Sequence, residues 1–447
     1  MFNRNIIANL NDWKEKSNRK PLVLRGARQV GKTTVVNMFS ASFDQYIYLN
    51  LEKSEDSRIF DPDRSFQDIV SAIFFLKGKP RHGKSTLLFI DEIQNSSVAI
   101  QSLRYFYEEA PDLYVIAAGS VLESLINTGI SFPVGRVEYL AVRPLSFSEF
   151  LGAVDEQSSL DFLQTYPVPE FAHEKLMRLF NLFALIGGMP AVIKNYRDNR
   201  DLTLLTPDYE SLIVSYLDDV EKYARNNTLL QVTRHVISTA FHNAGTRITF
   251  ERFGNSNYRA REVGEAFRSL EKAMLLLLVY PVENPMLPLQ PNYRKSPKLQ
   301  MLDTGLVNYI SKIQHEVFNA KEITDVFRGR IAEHIIGQEL LSCEASVLAK
   351  LYFWTREQKN SQAETDFTFS HQGGLIPVEV KSGKGGKLKS LHLYMDMANH
   401  KTAVRFYSGK PGIERLHSAN GTQYSLLNLP FYMACQLNRI LSSETLQ

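Results

Sequence analysis

Residues Gly26 to Thr33 read GARQVGKT, a G-x-x-x-x-G-K-T spacing suited to holding phosphate. Glycines allow a tight turn and a close backbone approach, so N–H groups along Gly26, Ala27, Arg28, Gln29, Val30 and Gly31 point at one phosphate group. Lys32 adds charge toward the β- and γ-phosphates of a nucleotide, Thr33 offers a hydroxyl to Mg²⁺, and Thr34 follows in the same turn. Farther on, the apolar run Leu87 to Ile90 ends in Asp91 and Glu92. On a buried strand this run delivers two carboxylates to one sheet edge. Asp91 would hold Mg²⁺ through water, and Glu92 would orient and deprotonate an attacking water. A capped strand end fits the same letters. After the run Tyr114 to Ala118, Ser120 could contact the γ-phosphate or the attacking water. It could equally cap a helix, with Glu123 completing an S-x-x-E box. Arg136 could complete the charge on a γ-phosphate, in cis or from a neighbouring subunit, or be an exposed or structural arginine.

A second constellation lies near the other end. A helix from about Val326 to Cys343 carries Glu333 among apolar neighbours. Residues 363–369 alternate and read as a strand containing Asp366. After Gly373-Gly374, the strand LIPVEVK places Glu379 and Lys381 two apart and therefore on one side. Asp366 and Glu379 are hard oxygen ligands for Mg²⁺ or Mn²⁺. Lys381 could position a hydroxide and stabilise a developing phosphorane, with Glu333 completing the metal shell. A salt bridge satisfies E-x-K on a strand just as well. The next loop, SGKGGKLKS, adds Lys384, Lys387 and Lys389, which could touch phosphates or simply be solvated.

These groups need elements to hold them. Leu22 to Leu24 reads as a buried strand entering the glycine loop, and Lys32 onward as the helix leaving it. The same letters recur at Gly78 to Ser85, GKPRHGKS, without a strand before them. Thr86 to Ile90 follows as a strand where a helix would be needed, so this copy is expected to be a decoy. Alternating helices and apolar strands imply a doubly wound parallel sheet over residues 1–145, with ligand at the strand C-termini. Residues 146–223 are expected to be a helical lid, with a tight bend at Gly187-Gly188-Met189-Pro190. Residues 224–285 read as three helices and a strand, the order of a winged helix. From Lys222 to Lys272 there are nine Lys/Arg against four Asp/Glu, and Arg259, Arg261 and Arg268 lie on the would-be recognition helix. DNA is a candidate partner, though a winged helix also serves protein contacts. Residues 281–297 carry five prolines, so 286–300 are expected to be linker, and 301–447 a separate domain.

The whole composition sets few limits. At 447 residues, 44% hydrophobic and 22% charged, the chain suits two or three ordinary globular domains. A formal charge of +3 neither demands nor excludes nucleic acid. Cys343 and Cys435 are the only cysteines, too few for a zinc site and no sign of a disulfide framework. The N-terminus lacks the features of a secretory signal, and the longest central apolar run, Met274 to Val279, is far short of a membrane span. A cytoplasmic location and no membrane partner are expected.

Taken in order, GARQVGKT, FIDEIQ, AAGS, GRVEYLAVRPLSFSEFL and GGMP resemble the bacterial and archaeal AAA-type ATPases related to the STAND class. The resemblance implies an α/β P-loop NTPase that binds and hydrolyses ATP with Mg²⁺. It also places Pro190 near the nucleotide, packing on the adenine. Ala118 stands where that family usually has Thr before Gly-Ser. The order E…D…E-x-K from Glu333 to Lys381 is similar to the PD-(D/E)XK restriction-endonuclease-like fold, which would add nuclease activity. The expected function is an ATPase coupling nucleotide state to nucleic-acid binding or metal-dependent cleavage. The alternative is a STAND-like signalling or scaffold ATPase whose C-terminal domain is inactive and binds a protein partner or a second copy.

Overall fold

The computed structural model describes residues 2–119, 133, 135–165, 167–223, 226–314, 329–358, 361–381, 388–418 and 420–443. Helix α1 (Ile6–Lys14) leads into strand β1 (Leu22–Arg25), the phosphate-type loop and α2 (Lys32–Phe39). β2 (Gln45–Asn50), α3 (Ser54–Ser57), α4 (Phe66–Leu76), β3 (Thr86–Asp91), α5 (Ser97–Glu109), β4 (Tyr114–Ala118) and β5 (Glu138–Ala141) follow. The strands form a five-stranded parallel sheet in the order β2-β3-β4-β1-β5. All six residues of β3 are buried, as a strand covered on both faces requires. The decoy at Gly78 to Ser85 is a turn leading directly into β3, with the Ser85 hydroxyl and N–H donating to Asp44.

The next helices are α6 (Phe147–Ala153), α7 (Gln157–Gln164), α8 (His173–Ile186), α9 (Pro190–Asn199) and α10 (Thr206–Tyr223). α6 begins with a capping box in which Ser146 and Glu149 satisfy each other's backbone N–H groups. α11 (Asn227–Ala240), a 3-10 turn at Phe253–Asn255, α12 (Ala260–Lys272), β6 (Leu276–Val282) and β7 (Lys298–Met301) follow, so of the three helices expected before the strand the middle one is only a 3-10 turn. α12 buries Val263, Ala266, Phe267 and Leu270 and leaves Arg259, Arg261 and Arg268 exposed.

The remaining elements are α13 (Thr304–Ile310), α14 (Arg330–Ser342), β8 (Tyr352–Gln358), β9 (Ser361–Glu364), β10 (Phe367–His371), β11 (Gly374–Lys381), α15 (Lys389–Met395), β12 (Thr402–Tyr407), β13 (Gly412–His417), β14 (Gln423–Pro430) and α16 (Leu437–Leu441). A second sheet runs β13-β14-β12-β11-β10-β8-β6-β7, with β9 paired to β8.

This sheet corrects several expectations. The stretch expected to be linker ends in strand: Lys298–Met301 pairs antiparallel with β6. β6 in turn runs parallel to β8, so the hairpin extends the C-terminal sheet. α13, expected to open a separate domain, packs on lid helices α8 and α10. Apolar faces about a hundred residues apart find each other there, which local patterning does not reveal. The single strand expected over 363–369 is two, β9 and β10, broken at Thr365-Asp366. Cys343 and Cys435, not expected to pair, form a disulfide with Cα atoms 5.7 Å apart across 92 residues of sequence. Among the described residues, no helix is long and apolar enough to cross a membrane.

Candidate active site

β1 and β3 end on the same sheet edge, which brings the glycine loop beside Asp91 and Glu92. Gly26 admits no side chain, since a Cβ there would lie 2.2 Å from the Val142 carbonyl oxygen. Gly31 has φ of +97°, a conformation glycine adopts without strain. Lys32 folds its ammonium back to donate to the Gly26 and Ala27 carbonyls, both at 2.9 Å. Burial lowers its pKa to about 8, opposed by Glu92 and Asp91. The Thr33 hydroxyl donates to Asp91 Oδ2 at 2.7 Å, so the two groups expected at a magnesium ion already meet. Burial pushes the Asp91 carboxyl up. Glu92 sits at φ of +52°, and its carboxylate accepts from the Gln94 amide.

The lid reaches the loop through α10. Asp219 pairs with Arg28 Nε at 2.6 Å, the Tyr216 hydroxyl donates to the Arg28 carbonyl, and Gln29 donates to Ser215. Arg28 and Gln29, expected to face phosphate, thus give their side chains to the lid. Pro190 is the first residue of α9, and its Cγ would stand 3.7 Å from a Cβ on Gly31. A cavity of about 350 Å³ opens here, lined by Phe2, Gly31, Thr34, Val35, Leu145 and Pro190 among others. The sequence reading missed Arg4, which locks this corner: its guanidinium donates to the Val30 and Arg143 carbonyls and pairs with Glu149 at 3.1 Å. Arg4 carries no motif, so only proximity reveals it.

Of the other expected residues, one is placed away from the loop and one is not described. Ser120 lies outside the described residues. Arg136 precedes β5, whose first residue Glu138 registers with Leu22, the first residue of β1. It therefore sits at the sheet edge opposite the phosphate-type loop of its own chain, paired with Glu108 at 2.8 Å. The order of letters could not show which edge the arginine would occupy.

The lid and the C-terminal region share one buried polar network. Asp303 accepts from the Gly188 N–H at 2.6 Å and from Leu306 at 3.1 Å, and Gln338 of α14 donates to it at 3.3 Å. Burial pushes Asp303 up to about 6, against the pull of those N–H donors. Next along α14, Glu339 caps α6 by accepting from the Phe147 N–H at 2.9 Å. Burial pushes Glu339 up to about 8. The unfolded chain loses this proton near pH 4.5, so folding takes up a proton between about 4.5 and 8 and stability falls as pH rises through that window. The slope from one such group is at most ~1.4 kcal/mol per pH unit. Glu339→Gln keeps the acceptor for Phe147 but cannot titrate. Its melting temperature should decline less than wild type between pH 5 and 8, and parallel profiles would refute the assignment.

The C-terminal constellation assembles as expected in position but not in content. Glu333 on α14, Asp366 at the β9–β10 break, and Glu379 and Lys381 on β11 come together. Asp366 Oδ2 accepts from the Val380 N–H at 2.7 Å, filling in for backbone pairing lost at the break. Glu379 pairs with Lys381. Lys298 of β7, which the sequence reading assigned to a linker, enters the middle. Its ammonium lies 2.6 Å from Glu333, 2.7 Å from Glu364 and 3.9 Å from Asp366. Burial works against that charge, but Glu333, Asp366 and Glu364 outweigh it and hold the Lys298 pKa above its ordinary value. Among the described residues no three His, Cys, Asp or Glu side chains are arranged to hold a metal ion. Asp366 and Glu379, expected as metal ligands, therefore do not fit one here: an ammonium takes the central position. Lys384 and Lys387 lie outside the described residues.

Comparison with known proteins finds a family of known type only for the part of the chain that holds the first of these two sites. Residues 18–151 match the model of an AAA domain. Residues 177–317 and 328–430 match two domains of unknown function, DUF8612 and DUF4143. No curated protein matches the chain. Among solved structures, the Walker-type ATPase PABY2304 of Pyrococcus abyssi is 15% identical, with a TM-score of 0.46 over 70% of this chain and 96% of its own. The Aeropyrum pernix ORC1 protein in complex with DNA is 12% identical, with a TM-score of 0.26 over 70% and 92%. A point variant of Thermotoga maritima RuvB is 13% identical, with a TM-score of 0.27 over 62% and 89%. The strand–loop–helix at Gly26 and the paired acids at the end of β3 lie within residues 18–151, the part of the chain that matches an AAA domain, and fit an AAA-type P-loop ATPase fold.

Proposed function

We propose that the protein binds and hydrolyses ATP and passes its nucleotide state to the C-terminal α/β domain. The observation that carries the reading is the meeting of Thr33 and Asp91 beside the Lys32 ammonium. Lys32 would bridge the β- and γ-phosphates, and Thr33 and Asp91 would hold Mg²⁺, which when bound neutralises phosphate charge. Glu92 would orient and deprotonate the attacking water. The cavity beside Gly31 is sized for a purine, with Phe2, Val35, Leu145 and Pro190 supplying apolar walls.

Transmission runs through Asp303 and α14, which touch both the Gly187-Gly188 turn and the carboxylate cluster. Exposed Arg259, Arg261 and Arg268 on the winged-helix-like α12 favour DNA phosphates as ligand, with the nuclease-like domain acting on the same nucleic acid. A specific observation favours the second reading, a scaffold whose C-terminal domain binds a protein partner or another copy without cleavage: the ammonium of Lys298 among the carboxylates. Phosphate release from ATP tests the first claim. Plasmid and single-stranded DNA incubated with and without ATP test the second. No phosphate release would overturn the ATPase reading, and no binding of either DNA would leave the scaffold.

A further inference from the structure

The carboxylate cluster of the second sheet contains a cation of its own. Lys298 stands at the start of β7, and its side chain is only 7% exposed. Its Nζ makes contacts of 2.6 and 2.7 Å to Glu333 Oε1 and Glu364 Oε1, with Asp366 Oδ1 at 3.9 Å. The ring of Phe353 lies 4.8 Å from the same ammonium and closes its apolar side. The other carboxylate oxygens are mostly committed: Glu364 Oε2 to Arg247 at 2.7 Å, and Asp366 Oδ2 to the Val380 N–H. Glu379 Oε2 is buried and has no hydrogen-bond partner among the described residues. Glu379 itself is 6% exposed.

We propose that Lys298 is the resident cation of this cluster, a tethered ammonium that excludes divalent metal while it remains between Glu333, Glu364 and Asp366. The proposal rests on reading the cluster as the functional site of the C-terminal domain. The physical reason is space and charge. Mg²⁺ and Mn²⁺ draw carboxylate oxygens inward, Mg²⁺ to about 2.0–2.1 Å. An ammonium already holds two of those oxygens at hydrogen-bond distance, and a second cation a few ångströms away would repel it inside a medium that screens poorly. Four carboxylates face two ammonium groups and the Arg247 guanidinium, so withdrawing Lys298 leaves a charge deficit that a divalent ion fits. The uncommitted Glu379 oxygen is a ready ligand for it.

The test is a Mn²⁺ titration of the nucleotide-free full chain, read as the loss of the free-ion paramagnetic resonance signal. The phosphate-type loop contributes equally to every variant compared. Wild type and K298R should show no site that disappears on adding D366N. K298M should gain one Mn²⁺ per chain, bound about tenfold or more tightly than any such site in wild type, and K298M/D366N should lose it. ATP binding at the wild-type level certifies that K298M is folded. A folded K298M without the gain overturns the proposal. So does wild-type protein with a saturable Mn²⁺ site that D366N removes. That second comparison does not need K298M to fold, and no such site in wild type supports exclusion. DNA left intact by every variant would remove the nuclease reading and leave the Mn²⁺ result standing, so the two failures are separable.

Discussion

Replacing Lys32 by alanine should abolish measurable ATP binding, while Glu92→Gln should bind ATP normally and fail to turn it over. The two residues act on different quantities. The Lys32 ammonium is buried, and its pKa of about 8 keeps most of it charged at neutral pH. It is held by the Gly26 and Ala27 carbonyls, ready to be handed to phosphate oxygens. A charge-assisted contact of this kind contributes about 1.5–3 kcal/mol, or roughly 10- to 150-fold in affinity. Loss of the only loop ammonium should exceed the upper figure once Asp91 and Glu92 face the phosphates unopposed. On the proposed mechanism Glu92 would act on the attacking water rather than hold the nucleotide, so Glu92→Gln should cost about 10²–10⁴-fold in kcat with little change in KM. Calorimetric ATP binding and phosphate release read the two effects separately. Hydrolysis retained by both variants would refute the site.

Gly187→Ala should be among the most damaging single-methyl changes in the molecule. Gly187 has φ of +78° and ψ of −173°, a region only glycine occupies comfortably. An added Cβ would lie 2.2 Å from Asp303 Oδ1. The chain cannot give way on the other side, because Gly305 lies so close that its own Cβ would meet the Ile186 carbonyl oxygen at 2.1 Å. Backbone strain of about 1–3 kcal/mol adds to the loss of a buried carboxylate's N–H partner, about 1–3 kcal/mol more. The melting temperature should fall by about 5 °C or more. ATP affinity should fall with it, since Pro190 follows three residues later. A variant with unchanged melting and unchanged affinity would show that Asp303 does not clamp the turn.

Asp303 also illustrates what local reading misses. MLDTGL announces the return of ordered structure, but its letters do not say that the carboxylate will cap a turn over a hundred residues upstream. Arg136 is the converse case. Its letters left a phosphate contact open, and only the register of β5 against β1 shows that it leads into that strand at the far edge.

The amino-acid sequence by itself determined the strand–loop–helix at Gly26, the paired acids that end β3, the rejection of the Gly78 decoy and the placing of Asp366 beside Glu379 and Lys381 across a hairpin. Each depends on spacings within one element or between neighbours, where a strand's period of two and a loop's glycines leave few alternatives. Tertiary structure alone decided what fills the second site. Lys298 comes from a proline-rich stretch that looks like linker until β6 offers it a pairing edge. Once there, its charge is held by carboxylates from a helix, from a strand and from the break between two strands. A long-range ion pair has no period and no local signature. The same letters therefore read as a metal site in sequence and as a lysine-filled cluster in the folded chain.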